Sequence, residues 1–297
     1  MSKLKVGLLG KRGLVGQTYE RLLKDHPYFE LIFAPSREEL GDIEKGKGCD
    51  LIFSALLNEA AKRYDPLYAG LGIPVFASAP FHRLKKEVPL IIPEINGAKL
   101  KGWKGSIIAK PNCTLQSMLL PLYPLHRKFG LKKVFVTHLQ STSGAGSRFI
   151  LSDNIIPFIE GEEEKSENES LKILDDRSIK ISTHCLRVPV VRGHLACISA
   201  SFGKKPDFEE IRDCWDCFKG LRLPSSPEKM FVYFEQKDRP QPELDLNIGQ
   251  GMAVALGRLR ACPLFDIRFI ALSHNLVRGA AGGGLLTAEL YAKDHLL

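Results

Sequence analysis

Apolar residues in the first 110 positions fall into short continuous blocks, separated by longer stretches where they recur at helical spacing. KVGLLG, FELIFAP, CDLIFSAL, IPVFAS and SIIAKPN read as strands, and LVGQTYERLLKDH and NEAAKRYDPLYAGLG as helices. Strands alternating with helices predict a parallel sheet wound by crossovers. After about residue 112 the pattern changes. KKVFVTHLQST, HCLRVPV, HLACISASFG, KMFVYFE, GMAVALGRLRA and FDIRFIALSHN are strand-like, with few helices between them. That half predicts a mixed, largely antiparallel sheet carrying helices on one face. GEEEKSENESLKIL is an acidic run leading into a helix, where carboxylates favour the positive end. NLVRGAAGGGLLTAELY predicts a closing helix with small residues along one side, which permits close packing or ligand approach.

Composition narrows the picture. A chain of 297 residues with 44% hydrophobic and 26% charged content has room for one large or two medium domains. No apolar run approaches the roughly 18–20 residues that span a bilayer. The opening MSKLKVGLLGKRG passes directly into a strand-and-glycine pattern, so a cytoplasmic protein with no membrane partner is expected. Seven cysteines, an odd count in a long chain, argue against a disulfide framework. The pair Cys214 and Cys217 (CWDC) lies in the amphipathic pattern FEEIRDCWDCFKGL, with no second pair or histidines to complete a metal set. A net charge of +8 suits anionic small molecules. The basic residues are scattered rather than interleaved with aromatics, so no nucleic-acid partner is expected.

Glycines at 7, 10, 13 and 16 follow the first strand and open the first helix. In that setting such glycines let backbone N–H groups approach a dinucleotide pyrophosphate, and the helix N-terminus favours its negative charge. At the end of the second strand, Ser36 and Arg37 offer a hydroxyl and a guanidinium suited to a 2′-phosphate, which favours NADP over NAD. Glu38 and Glu39 follow at once and compete with that reading. The expected fold class is α/β, with a Rossmann-type dinucleotide-binding domain over 1–112 plus 275–297. An α+β domain spans 113–274.

Cys113 lies in KPNCTLQSMLLPL, between a turn and an apolar helical run. A thiol at a helix N-terminus has its thiolate stabilised by the helix dipole and free N–H groups. On this ground alone a buried inert cysteine and a nucleophile are equally admissible. LQSTSGAGSR places Gln140 at a strand end before a glycine-containing turn. LRVPVVRGH brings Arg187, Arg192 and His194 together, and ALSHNLVRGAAGG ends a strand in polar residues. Taken singly, His194 reads more simply as a hydrogen-bonded structural residue, and Arg187 as a surface cation.

Taken together, these segments resemble the aspartate-semialdehyde dehydrogenase family over nearly the whole chain. GKRGLVGQ is similar to its cofactor turn, PNCTLQ to its nucleophile motif and QSTSGAG to its substrate-and-cofactor loop. GEEEK, RVPVVRGH and HNLVRGAAGG match three further segments, while VPLIIPEIN and EQKDRPQPELD resemble the archaeal and fungal branch. The resemblance implies a reductive dephosphorylation of aspartyl phosphate through a cysteine thioester, in lysine, threonine and methionine biosynthesis. Cys113 would be the nucleophile, and His194 the acid/base with a pKa near neutrality. Gln140 and Glu162 would contact the aspartyl part and Arg187 its carboxylate, while Lys165 and Arg83 would meet the phosphate. Gly13, Leu14, Val15, Gly16, Ser36, Arg37, Ser143, Gly144 and Asn275 would hold NADP. The second domain would carry catalysis and dimerisation, giving a homodimer or a tetramer.

The chain departs from the family pattern at three places: Ala77-Ser78 stands for an expected Ser-Asn, Lys110 for an expected Asn, and Glu243 for an expected basic residue. It is also short for the family, which implies trimmed loops. Two other readings compete, N-acetyl-gamma-glutamyl-phosphate reductase and a non-catalytic NADP-binding sensor. A sensor predicts loss of the thiol, the base or the carboxylate-binding arginine, and all three positions are filled.

Overall fold

Leu4–Leu9 (β1) begins a parallel sheet in the computed structural model, which describes residues 3–297. Phe29–Phe33 (β2), Leu51–Ser54 (β3), Val75–Ala77 (β4) and Ile107–Ala109 (β5) complete it in the order β2-β1-β3-β4-β5. Every pairing in it is parallel. Its helices are Leu14–Leu23 (α1), Asn58–Ala69 (α2) and the single turn Pro93–Asn96 (α3). Side chains alternate across a strand, so each face builds its own core. Val6, Leu8, Phe53, Phe76 and Ile108 pack with Tyr19 and Tyr291 on one face. Leu9, Ile52 and Val75 pack with Ala61 and Tyr68 on the other.

The second sheet contains Leu131–Gln140 (β6), Lys180–Arg187 (β7), His194–Phe202 (β8), Phe231–Phe234 (β9), Val254–Ala261 (β10) and Ile267–Ser273 (β11). Its order is β7-β6-β8-β11-β10-β9. The β6–β7 and β9–β10 pairs are parallel, and the other three are antiparallel. Leu115–Phe129 (α4), Glu162–Leu174 (α5), Phe208–Asp216 (α6) and the turn Pro242–Asp245 (α7) accompany it. α6 starts with a capping box, Asp207 accepting from the Glu210 N–H and Glu210 from the Asp207 N–H. Its Trp215 is buried and donates to the Pro121 carbonyl of α4 (3.0 Å). The CWDC pair lies at the end of this helix as free thiols.

A π-helical turn, Val277–Ala281, leads into Gly282–His295 (α8). α8 is buried on almost every side from Gly282 to Ala292, as a core helix must be if apolar all round. One compact unit comprises residues up to Pro111, Arg222–Ser225 and Ala280–Leu297; the other comprises Asn112–Leu221 and Ser226–Gly279. The chain thus returns to the first unit five residues later than residue 275, the return read from the sequence. Asn275 and Gly279 explain the delay, because the Asn275 Oδ1 accepts the Gly193 N–H (2.9 Å) and Gly279 lies against Cys113. Arg222–Ser225 is tied to the first unit through the buried Glu289 of α8. That carboxylate accepts the Ser225 N–H (3.0 Å) and hydroxyl and pairs with His26 Nε2 (3.0 Å). No helix among the described residues is long and apolar enough to cross a membrane.

The glycine turn between β1 and α1 is closed by backbone, not by side chains. A Cβ on Gly16 would lie 2.2 Å from the Gly10 carbonyl oxygen and 2.6 Å from the Lys11 Cα. One on Gly13 would meet nothing nearer than 3.8 Å. Gly16→Ala is therefore expected to lower stability by about 1–3 kcal/mol, since backbone cannot yield as a side chain does. Gly13→Ala is expected to cost under about 1 kcal/mol, the scale of a weakened helix cap. Urea-denaturation midpoints of the two variants check the contrast, and equal losses would contradict it.

Candidate active site

The chain leaves β5 at Ala109 and delivers Cys113 just ahead of α4. Lys110 is buried and turns its ammonium onto the Pro111 carbonyl (2.6 Å). Asn112 is held on three sides. Its N–H donates to Glu169 Oε2 (2.7 Å) and its Nδ2 to Glu162 Oε2 (2.8 Å), while its Oδ1 accepts the Thr114 N–H (3.2 Å). The Cys113 thiol faces that same Oδ1 at 3.5 Å. Behind the cysteine, the π-helical turn brings Gly279 so close that a Cβ there would lie 2.7 Å from the Cys113 Cβ. Such turns recur where a helix must present backbone to a site.

Strand direction gathers the other residues. β6 and β7 run parallel and end at Gln140 and Arg187, which are register partners. β8 runs the opposite way and so begins there, with His194 as its first residue. β11 is antiparallel to β8 and ends opposite His194 at Ser273, two residues before Asn275. His194 Nε2 lies 3.1 Å from the Cys113 Sγ. Its Nδ1 accepts the Ser141 N–H (3.1 Å), and the Ser141 carbonyl accepts Arg187 Nη1 (2.8 Å). Gly144 completes this face, since a Cβ there would lie 2.7 Å from Arg187 Nη1 and 3.3 Å from the His194 ring.

The electrostatics differ from the sequence reading at one point. His194 is fully buried, and burial, aided by the charge of Arg187 and by His138, drives its pKa down to about 3, not near neutrality. His138, also buried, is pushed down to about 4 by burial, and its Nε2 meets the Ser166 hydroxyl (3.3 Å). Glu162, the first residue of α5, carries the opposite charge. Burial pushes its carboxyl up, but hydrogen bonds from Asn112 and Gln140 and the Lys165 ammonium outweigh it, so the net shift is downward. Gln140 Nε2 donates to Glu162 Oε2 (3.1 Å), and Lys165 Nζ to Oε1 (3.1 Å).

Cys113, Gln140, Glu162, Lys165, Arg187 and His194 therefore form one connected set, with Ser143, Gly144 and Asn275 on its margin. Asn275 Nδ2 donates to the Ser143 hydroxyl (2.9 Å). Sequence reasoning overlooked Asn112, Ser141, His138 and Gly279. Each lies inside or beside a motif that was singled out, but its role depends on pairing across strands. The chemistry available is that of a thiol beside a neutral imidazole, with an arginine and a lysine–glutamate pair within the same network.

Gly13, Leu14, Val15, Gly16, Ser36, Arg37 and Arg83 belong to the first unit. Arg83 is buried and its Nη2 donates to the Ser78 carbonyl (2.8 Å). The α1 N-terminus carries no side-chain cap, and Gly13 leaves space above it, so its N–H groups suit a pyrophosphate. Ser36 is engaged by both neighbouring glutamates. Its N–H donates to Glu39 Oε2 (2.9 Å), and Glu38 is held below the usual carboxylate range first by its own backbone N–H and the Ser36 hydroxyl. Arg12 and Arg37 add their charge to that of the hydrogen bonds on Glu38. Two guanidiniums whose charge reaches Glu38, with the Ser36 hydroxyl on the same carboxylate, suit a 2′-phosphate, with Glu38 as its competitor. Arg12 had not been singled out from the sequence.

Two family models cover most of the chain. The NAD-binding domain of semialdehyde dehydrogenases matches residues 5–103, and their dimerisation domain matches residues 122–278. An aspartate-semialdehyde dehydrogenase of Archaeoglobus fulgidus is 37% identical over 99% of this chain and 100% of its own length. That alignment occupies 343 positions against 297 residues here, so part of the relative has no counterpart in this chain. A malonyl CoA reductase (NADP) of Metallosphaera sedula is 34% identical over 97% of this chain and 96% of its own. The crystal structure of aspartate-semialdehyde dehydrogenase with NADP from Candida albicans superposes with a TM-score of 0.89 at 32% identity, covering 100% of both chains. With these likenesses spanning both units, the chain belongs to the semialdehyde dehydrogenase family.

Proposed function

We propose that this protein is an NADP-dependent aspartate-semialdehyde dehydrogenase, which reduces L-aspartyl 4-phosphate to aspartate semialdehyde through a thioester on Cys113. The observation that carries the reading is the 3.1 Å contact of His194 with the Cys113 sulfur, at a sheet end that also holds Gln140, Glu162, Lys165 and Arg187. A thiolate is both a strong nucleophile and a good leaving group, so Cys113 can attack an acyl phosphate and later release an aldehyde. Arg187 presents a planar fork suited to the substrate carboxylate. Gln140 is oriented for the aspartyl part by its bond to Glu162, and Lys165, with Arg83, gives a cation for the phosphate. Gly13 to Gly16, Ser36, Arg37, Ser143, Gly144 and Asn275 would hold the cofactor. When bound, the reduced nicotinamide supplies the hydride that converts the thioester to the aldehyde. The family's dimerisation model over the second unit supports a homodimer, and the cytoplasm is the expected compartment.

The purified protein should reduce NADP in the presence of aspartate semialdehyde and phosphate. Cys113→Ser should lower kcat by on the order of 10³-fold or more, as loss of a covalent nucleophile does. Turnover on malonyl-CoA or N-acetylglutamate semialdehyde instead would redirect the substrate reading, and tight NADP binding without turnover would favour the sensor. Arg187→Lys keeps the charge but loses the fork, so the KM for aspartate semialdehyde should rise by about ten- to a hundredfold, from the loss of a charged hydrogen bond. An unchanged KM would remove Arg187 from the carboxylate. Gly279→Ala must displace Cys113, and a misplacement on the ångström scale costs about a hundredfold in rate. Its kcat and its rate of thiol alkylation should fall together; normal values for both would show that the close approach is unimportant.

A further inference from the structure

We infer that Glu169 is a positioning residue for the nucleophile, holding the peptide group ahead of Asn112 so that the Cys113 sulfur is presented in one orientation. The inference rests on the reading of Cys113 as the nucleophile and adds a residue that acts on it through Asn112.

The side of α5 that faces the interior is mostly polar. Its buried residues are Ser166, Glu169, Ser170 and Ile173. A helix held by packing alone would bury apolar side chains at this spacing. The two serines have local uses: the Ser170 hydroxyl donates to the Ser166 carbonyl (2.5 Å), and the Ser166 hydroxyl meets His138 Nε2 (3.3 Å). Glu169 reaches much further along the chain. It is 1% exposed, where a carboxylate is costly to place, and its Oε2 accepts the Asn112 N–H at 2.7 Å across 57 residues of sequence.

Asn112 is the residue through which that bond acts. Its Oδ1 accepts the Thr114 N–H (3.2 Å) and faces the Cys113 sulfur (3.5 Å), so a side-chain-to-backbone turn brackets the cysteine. Its Nδ2 donates to Glu162 Oε2 (2.8 Å). These side-chain bonds still leave the Pro111–Asn112 peptide able to turn about the N–Cα bond of Asn112. The bond to Glu169 removes that rotation from the N–H side. On the other atom of the same planar group, the Pro111 carbonyl accepts Lys110 Nζ (2.6 Å). The peptide is therefore held at its hydrogen by a carboxylate and at its oxygen by an ammonium.

A water molecule or a serine hydroxyl would satisfy a backbone N–H equally well. A carboxylate makes a shorter and stronger bond and so fixes its direction more tightly. Glu162 and Glu169 are seven residues apart, about two turns of the same helix, so α5 aligns Asn112 through its side chain and its main chain at once. Glu162 also belongs to the proposed substrate site. One helix thus sets both a carboxylate that faces the substrate and the line along which the sulfur attacks, and attack at an acyl carbon depends steeply on that line.

Glu169→Met keeps the bulk of the side chain and removes the acceptor, while Glu169→Gln keeps an oxygen that can take the same N–H. In the full-length protein, alkylation of Cys113 by iodoacetamide should slow by about tenfold in Glu169→Met, the scale of one hydrogen bond. Alkylation of the exposed Cys217 should not change, which separates a displaced nucleophile from a loosened fold. Its kcat should fall by the same factor with KM for aspartate semialdehyde retained, and Glu169→Gln should recover most of both rates. A folded Glu169→Met protein with wild-type alkylation and kcat would overturn the inference, even if its urea midpoint fell. A Glu169→Gln protein as slow as expected for Glu169→Met would overturn it too, since the acceptor would then not be what matters. If Glu169→Met does not fold, hydrogen exchange of the wild type decides together with Glu169→Gln: the Asn112 amide should be strongly protected, and rapid exchange there would overturn the inference. Alkylation and exchange need no turnover. A wild type inactive on aspartate semialdehyde would sink the substrate reading alone, and an undisturbed thiol in Glu169→Met would sink this inference alone.

Discussion

The reversal of β8 between β6 and β11 decides where chemistry can occur in this protein. Two parallel strands end together, and the antiparallel strand beside them must begin at that same edge. Gln140, Arg187 and His194 are thereby placed side by side, although 53 residues separate the Ser141 amide from the His194 ring it meets. A slip of one residue in the β6–β8 pairing would turn every side chain to the opposite face. The long register between β6 and β8, extending from Leu131 to Leu139, protects against this. The cysteine is brought to that edge by a different device, the turn ahead of α4, and is backed by the small residue of the π-helical turn.

Burying so many polar groups at one edge is costly unless each finds a partner. The partners here are shared economically around Asn112. Its amide group links Glu162 to the thiol, while its backbone N–H occupies Glu169. Glu162 in turn collects Gln140 and Lys165, which keeps it ionised despite its burial. A buried ion pair is weak grounds for stability, because desolvation offsets most of the attraction. Its value here is geometric: the carboxylate that orients Gln140 also orients Asn112, so two side-chain amides of the network are set by one group.

The alternation of strands and helices was legible in the sequence, because the two periodicities of about 2 and 3.6 residues are local properties. The closing helix was legible too, but its π-helical start was not, since nothing in NLVRGAAGG distinguishes a turn that widens by one residue from an ordinary one. The same limit applies to the site. Cys113, Gln140, Arg187 and His194 stand in segments whose composition marks them, and family resemblance supplied their grouping. Asn112 and Ser141 stand beside them unremarked, because what they do is done largely by backbone amides and by pairing with residues far along the chain. Arg12 was hidden for a similar reason: it is one cation among 42, and only the fold brings its charge to bear on Glu38.

The state of His194 could not be read from sequence at all. A histidine's intrinsic pKa near 6.5 invites an acid/base role, and the motif RVPVVRGH adds nothing against it. Three features of the fold bear on the ring's charge and tautomer. The ring is sealed from water, a guanidinium lies nearby, and an amide hydrogen is already aimed at the nitrogen that an imidazolium would need to protonate. Desolvation alone would lower the pKa and leave the tautomer open; the amide fixes the tautomer as well. The residue type named the position, but the backbone amide that meets the ring from 53 residues away is a product of the fold.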